Sequence, residues 1–148
     1  MEAESRIAIE SDADVVTARQ RARELAGELE LSSTDQTLLA TAISEMTRNI
    51  VVHVGRGEVI LRPRYEEARR GLTVIARDSG QGIRDVEAAV RDGMATRGGL
   101  GLGLPGARRL MDEFDIVSRR GEGTTVTMTK WRTRDELERL RERRRLHG

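Results

Sequence analysis

Residues 98–105 read Gly-Gly-Leu-Gly-Leu-Gly-Leu-Pro, with Gly99, Gly101 and Gly103 alternating with Leu100, Leu102 and Leu104. Pro105 is a good first residue for a helix. A glycine-rich segment running into a helix start presents free backbone N–H groups and the positive end of a helix dipole, a combination that suits phosphate. Upstream stands Asp78-Ser-Gly-Gln-Gly82. A carboxylate at the end of a strand can accept a hydrogen bond from an exocyclic amine, and Gly80 and Gly82 let a flat base approach the backbone. An ordinary Asp-initiated turn accounts for the same five residues.

A third group lies on a predicted helix over residues 33–52. At about 100° per residue, Leu38, Leu39, Ala42, Ile43, Met46 and Ile50 define one apolar arc. Asn49 falls inside that arc, Glu45 lies at its edge, and His53 continues the same i, i+4 row. A carboxylate and an amide facing the sheet are costly unless something hydrogen-bonds or ligates them. Bonds to neighbouring backbone would satisfy both. The functional alternative is that Asn49 offers its amide oxygen to Mg²⁺, which takes few protein ligands and completes its shell with phosphate and water. Glu45, one turn away, would then accept the proton of an attacking water or hydroxyl.

The elements that must position these residues follow from hydrophobic periodicity. Arg6–Glu10 alternates as a strand, and Ser11 or Asp12 caps a helix to Leu29. Ser33 and Gln36 have capping-box spacing for the second helix, which Gly55 and Gly57 end. Residues 58–62 and 72–77 form an antiparallel pair across a charged loop. A short helix and a mobile segment of small residues occupy 83–97. A helix then runs from Leu104 to Phe114, and strands at 116–118 and 124–131 flank a glycine turn at 119–123. This β-α-α-β-β-(α)-α-β-β order predicts an α/β (α+β) sandwich, a mostly antiparallel mixed sheet with helices on one face. It lacks the regular alternation of a doubly wound fold.

The chain has 148 residues, which suits one domain with its own core. Its net charge of +1 gives no global field to attract nucleic acid or an acidic membrane. Tyr65, Phe114 and Trp131 are the whole aromatic set, too few for a base-stacking surface. There is no cysteine, so disulfides and thiolate metal sites are excluded. The acidic start and the lack of a long apolar run lead us to expect a cytoplasmic protein.

Residues 132–148 differ from the rest. Thr133 and Glu136 form a further capping box, and Leu137 and Leu140 give a thin apolar stripe among arginines. Both a solvated, frayed terminal helix and a contact for an acidic partner fit this pattern. The expected division is a domain over 1–131 and an Arg-rich extension over 132–148.

Four segments in this order resemble the boxes of a known superfamily. Glu45-Met-Thr-Arg-Asn49, Asp78-Ser-Gly-Gln-Gly82, Gly99-Leu-Gly-Leu-Gly103 and Gly121-Glu-Gly-Thr-Thr125 are similar to the N, G1, G2 and G3 boxes of the GHKL ATPases. Within that superfamily, and its Bergerat ATP-binding fold, the chain looks like the small anti-sigma-regulatory serine/threonine kinases of the RsbT type, switch kinases of stressosome signalling. The resemblance spans residues 5–131. It implies ATP and Mg²⁺ as cofactors, Asn49 as the metal ligand and Glu45 as the catalytic base. It also implies that Asp78 bonds the adenine amine with Thr125 nearby, and that Gly80 and Gly82 line the base. Gly99, Leu100, Gly101, Leu102 and Gly103 meet the phosphates, with Arg97 balancing γ-phosphate charge. His53 is expected to pack or hydrogen-bond at the helix end.

The implied partners are STAS-domain antagonist or scaffold proteins, whose hydroxyl would be phosphorylated, and a PP2C-type phosphatase that the kinase would activate. A non-catalytic, nucleotide-dependent binding module such as an anti-sigma factor is the alternative, although a pure binder needs no Glu45. A histidine kinase fragment lacks support because there is no phosphoacceptor helix. Walker-type and eukaryotic-type kinases are excluded by the missing GxxxxGK[ST] and HRD motifs.

Overall fold

Period-two and 3.6-residue patterning sort the described residues into eight elements. In the computed structural model, which describes residues 4–82, 103–132 and 144, they are as follows. The order is β1 (Ser5–Ile9), α1 (Asp12–Glu28), α2 (Ser33–His53), β2 (Gly57–Glu66), β3 (Arg69–Asp78), α3 (Gly103–Leu110), β4 (Glu113–Arg119) and β5 (Gly123–Trp131). The strands form one sheet in the order β1-β2-β3-β5-β4, and every neighbouring pair is antiparallel. The expected mixed sheet is therefore wholly antiparallel among the described residues.

Strand alternation sends one set of side chains toward the helices. Val59, Leu61, Leu72, Val74, Ala76, Val126 and Met128 pack in one buried cluster with Leu25 of α1, Leu39, Ile43 and Met46 of α2, and Leu104 and Ala107 of α3. Each large aliphatic side chain buried there stabilises the fold by about 1.5–3 kcal/mol, which holds the helices on the sheet. No helix among the described residues is long and apolar enough to cross a membrane.

Local chemistry sets the helix starts. The Asp14 carboxylate reaches back to accept from the backbone N–H of Glu10 at 2.8 Å and of Ser11 at 3.2 Å. The cap of α2 is Ser32 rather than the expected Ser33: its Oγ accepts from Asp35 N at 3.1 Å. Gln36 instead donates its side-chain amide to Leu31 O at 3.0 Å.

Two boundaries differ from expectation. The predicted charged loop over 63–71 is mostly strand, with Arg62 to Glu66 continuing in register against Thr73 to Arg69. Pro63 is tolerated there because, among the described residues, β1 pairs with β2 only as far as Leu61. Phe114, placed at a helix end from the sequence, lies in β4 opposite Met128. Helix α3 stops at Leu110 because the next residues join the ladder: Asp112 N donates to Thr129 O at 3.0 Å and Trp131 N donates to Asp112 Oδ2 at 2.7 Å. The predicted short helix at 83–97 and the capping box at Thr133 and Glu136 lie outside the described residues.

Candidate active site

The site forms where α2 crosses the ends of β3 and β5. A cavity of about 440 Å³ opens there, within the range of small-molecule sites. Helix α2 and its C-terminal residue supply Met46, Asn49, Ile50, His53 and Val54. The sheet supplies Ala76, Asp78, Thr124 and Val126, the segment after β3 supplies Gly80, Gln81 and Gly82, and Leu104 closes the wall from α3. The lining is divided almost evenly between apolar and polar surface, with the side chains of Asn49, His53, Asp78, Gln81 and Thr124 as its polar groups, a composition suited to a flat, partly polar ligand.

Asp78 is the last residue of β3 and is half-buried. Its Oδ1 accepts from Gly80 N at 2.9 Å, so the Asp-initiated turn is present. Its Oδ2 accepts no hydrogen bond among the described residues, so the turn and a ligand contact are compatible. Gly80 lies tight against the end of α2, and a Cβ there would stand 2.8 Å from Val54 Cγ2. Gly82 has φ +82°, and a Cβ there would meet Arg119 O at 2.5 Å. That close approach docks the segment on the β4–β5 turn, where Gly121 N also donates to Gln81 O at 2.9 Å. Two of the sequence boxes are thereby bonded to each other.

Asn49 is half-buried on the cavity wall, one turn from the fully buried Glu45. Glu45 is not part of that wall. Its Oε2 accepts from Gly103 N, the first residue of α3, at 3.2 Å. His53 lies on the wall and is exposed, as a residue at the helix end.

Thr125 is placed differently. Thr124 pairs with Asp78 and shares the cavity face with Val126, whereas Thr125 pairs with Arg77 and opens on the other face beside Glu10, Arg56 and Glu122. Strand period alone carried this signal: Thr124, Val126 and Met128 alternate as one face. The Thr124 hydroxyl shares a 2.8 Å hydrogen bond with Ser118 Oγ. Met46, Ile50, Val54 and Leu104 were not singled out as site residues from sequence, since apolar helix positions read simply as core, and Gln81 stood unremarked between Gly80 and Gly82. Arg97, Gly99, Leu100, Gly101 and Leu102 lie outside the described residues; of that run, Gly103 is placed.

Comparison with known proteins bears on the family and the fold. The profile of the family described as histidine kinase-like ATPase domain matches residues 9–130. The serine/threonine-protein kinase RsbT of Bacillus subtilis is 44% identical over 131 residues, which are 88% of this chain and 98% of that protein. The anti-sigma F factor of Caldanaerobacter subterraneus is 33% identical over 97 residues, 63% of this chain and 68% of that one. Among solved structures, that of the RsbU and RsbW domains of Rv1364c from Mycobacterium tuberculosis superposes with a TM-score of 0.60 at 22% identity. It covers 89% of this chain, which spans only 34% of that longer one, and the likeness speaks for the fold. The chain belongs to the histidine kinase-like ATPase domain family and falls among its RsbT-like serine/threonine-protein kinases.

Proposed function

We propose that residues 1–131 form a cytoplasmic ATP- and Mg²⁺-dependent serine/threonine kinase that phosphorylates a hydroxyl of a STAS-domain regulator, and that it also activates a PP2C-type phosphatase in a partner-switching pathway. The observation that carries this reading is the cavity itself. It gathers Asn49, Asp78, Gly80 and Gly82, with Glu45 tied behind its wall to the last glycine of the run.

The residues fit the group. Asp78 Oδ2 would accept from the adenine amine, while the Gly80 and Gly82 backbone leaves room for the ring plane. The Asn49 amide oxygen would hold Mg²⁺, which needs little else from protein and neutralises phosphate charge when bound. Gly99, Leu100, Gly101, Leu102 and Gly103 would meet the phosphates and Arg97 would offset γ-phosphate charge. Glu45 would take the acceptor hydroxyl's proton as its oxygen bonds to the γ-phosphorus and the bond to the ADP oxygen breaks. Thr124 would take the place expected for Thr125 beside Asp78.

A second reading, a nucleotide-dependent binding module, is favoured by one observation: Glu45 is 0% exposed and off the cavity wall. Incubating the protein with γ-labelled ATP, Mg²⁺ and a cognate STAS-domain protein separates the two. The kinase reading expects one labelled serine or threonine on the STAS protein. Nucleotide binding without any transfer would support the binding module.

A further inference from the structure

Lys130 is the one lysine among 26 basic residues, all the others being arginine. It lies near the end of β5 with its side chain only 10% exposed. Its Nζ donates to Leu110 O, at the last residue of α3, at 3.1 Å. It also stands 3.5 Å from Asp112 Oδ1 and 3.9 Å from Asp35 Oδ1 in the first turn of α2. Three oxygens from three segments thus surround one ammonium group. An ammonium has three rotatable donors at a point, whereas a guanidinium is a planar fork, so this position resists the arginine that the chain uses elsewhere.

We propose that Lys130 is a positioning residue that fixes α3, and through it the Gly103 N–H, against Glu45. What Glu45 then does rests on the kinase reading; the mechanical link does not. The last carbonyls of a helix lack partners within it, and a cation there is favourable. Lys130 meets that need at Leu110 and ties the same end of α3 to α2 through Asp35. Helix α3 is eight residues, about 12 Å long, and packs by Leu104 and Ala107. Its other end carries the Gly103 N–H that reaches Glu45 Oε2 at 3.2 Å. That distance is already at the long end for an N–H···O bond, so slack at Leu110 passed along a stiff helix would open it. Asp112 strengthens the anchor, since its Oδ2 accepts from Trp131 N at 2.7 Å and fixes the turn that Lys130 grips.

The test is amide hydrogen exchange at Gly103, read by NMR in the nucleotide-free protein. Lys130→Met and Lys130→Arg are each expected to speed that exchange by about tenfold or more, because the local contact opens without global unfolding. Val15→Ala, a core truncation in α1 away from α3, should lower the melting temperature yet leave Gly103 protected. If Lys130→Met does not fold, Asp112→Asn gives a milder loosening with the same expected direction. Wild-type protection in the Lys130 variants, or equal loss in Val15→Ala, would overturn the proposal. In phosphotransfer, Lys130→Arg should lower kcat with KM for ATP nearly unchanged, since the Asp78 end of the cavity is untouched; the reverse split would also overturn it. If the wild type transfers no phosphate at all, the kinase reading fails, while exchange at Gly103 still judges Lys130.

Discussion

The backbone N–H of Gly103 donates to Glu45 Oε2 at 3.2 Å, joining the end of the glycine run to the proposed base on α2. Residues 58 positions apart in sequence thus act as one unit, and Gly103 can make the contact because it opens α3 at φ +56°. Gly103→Ala forces a β-carbon into the left-handed region, at a cost of about 1–2 kcal/mol. We expect a lower melting temperature in a thermal scan, with phosphotransfer falling more than nucleotide binding.

Asp78→Asn separates the turn from the ligand contact. Asparagine can still accept from Gly80 N through its carbonyl oxygen, but its other atom becomes a donor facing a donor. Removing a buried hydrogen bond of this kind costs about 1–3 kcal/mol, and a charged acceptor lies at the upper end. Titration with a fluorescent ATP analogue should show affinity reduced by about tenfold to a hundredfold, with the melting temperature of the free protein little changed. Undiminished binding would sink the adenine assignment.

Thr124 and Thr125 make a paired test of strand register. Thr124→Val removes the hydroxyl beside Asp78 and should weaken ATP binding by about threefold to tenfold. Thr125→Val, on the opposite face, should leave binding unchanged within about twofold. Equal effects would mean that the face assignment is irrelevant to the ligand.

Much of this arrangement was legible in the sequence. The row Leu39, Ile43, Met46 and Ile50 placed α2 on the sheet and put Asn49 on the cavity side, because one helical period fixes both. The Asp78 turn was legible for a similar reason: an acid followed by two spaced glycines has few other conformations. What was not legible depended on distant partners. Phe114 sits in a strand because Asp112 bonds to β5, 17 residues away at Thr129, and no local pattern encodes that contact. Pro63 to Glu66 read as loop because a proline followed by charged residues imitates a turn, whereas the pairing with Leu72 to Arg69 that makes it strand is not encoded locally. Lys130 was passed over because a lone cation near a strand end looks like surface until Leu110 O, Asp112 and Asp35 converge on it.

Gly80→Ala probes the fit of the cavity wall. The added methyl would stand 2.8 Å from Val54 Cγ2, and overpacking of this kind costs about 1–3 kcal/mol. ATP affinity should fall as the wall shifts, and Val54→Ala in the same chain should restore part of it. Isothermal titration of the single and double variants checks both. No recovery in the double variant would mean that Val54 is not the group displaced.

The central claim is that Glu45 turns a nucleotide cavity into a kinase. Its most direct measurement is the rate of γ-phosphate transfer to a STAS-domain protein by Glu45→Ala, made at nucleotide concentrations where binding is shown to be intact. We predict retained ATP binding and a transfer rate lower by about a hundredfold or more, the range a general base supplies. Transfer at a near wild-type rate with nucleotide bound would contradict the account.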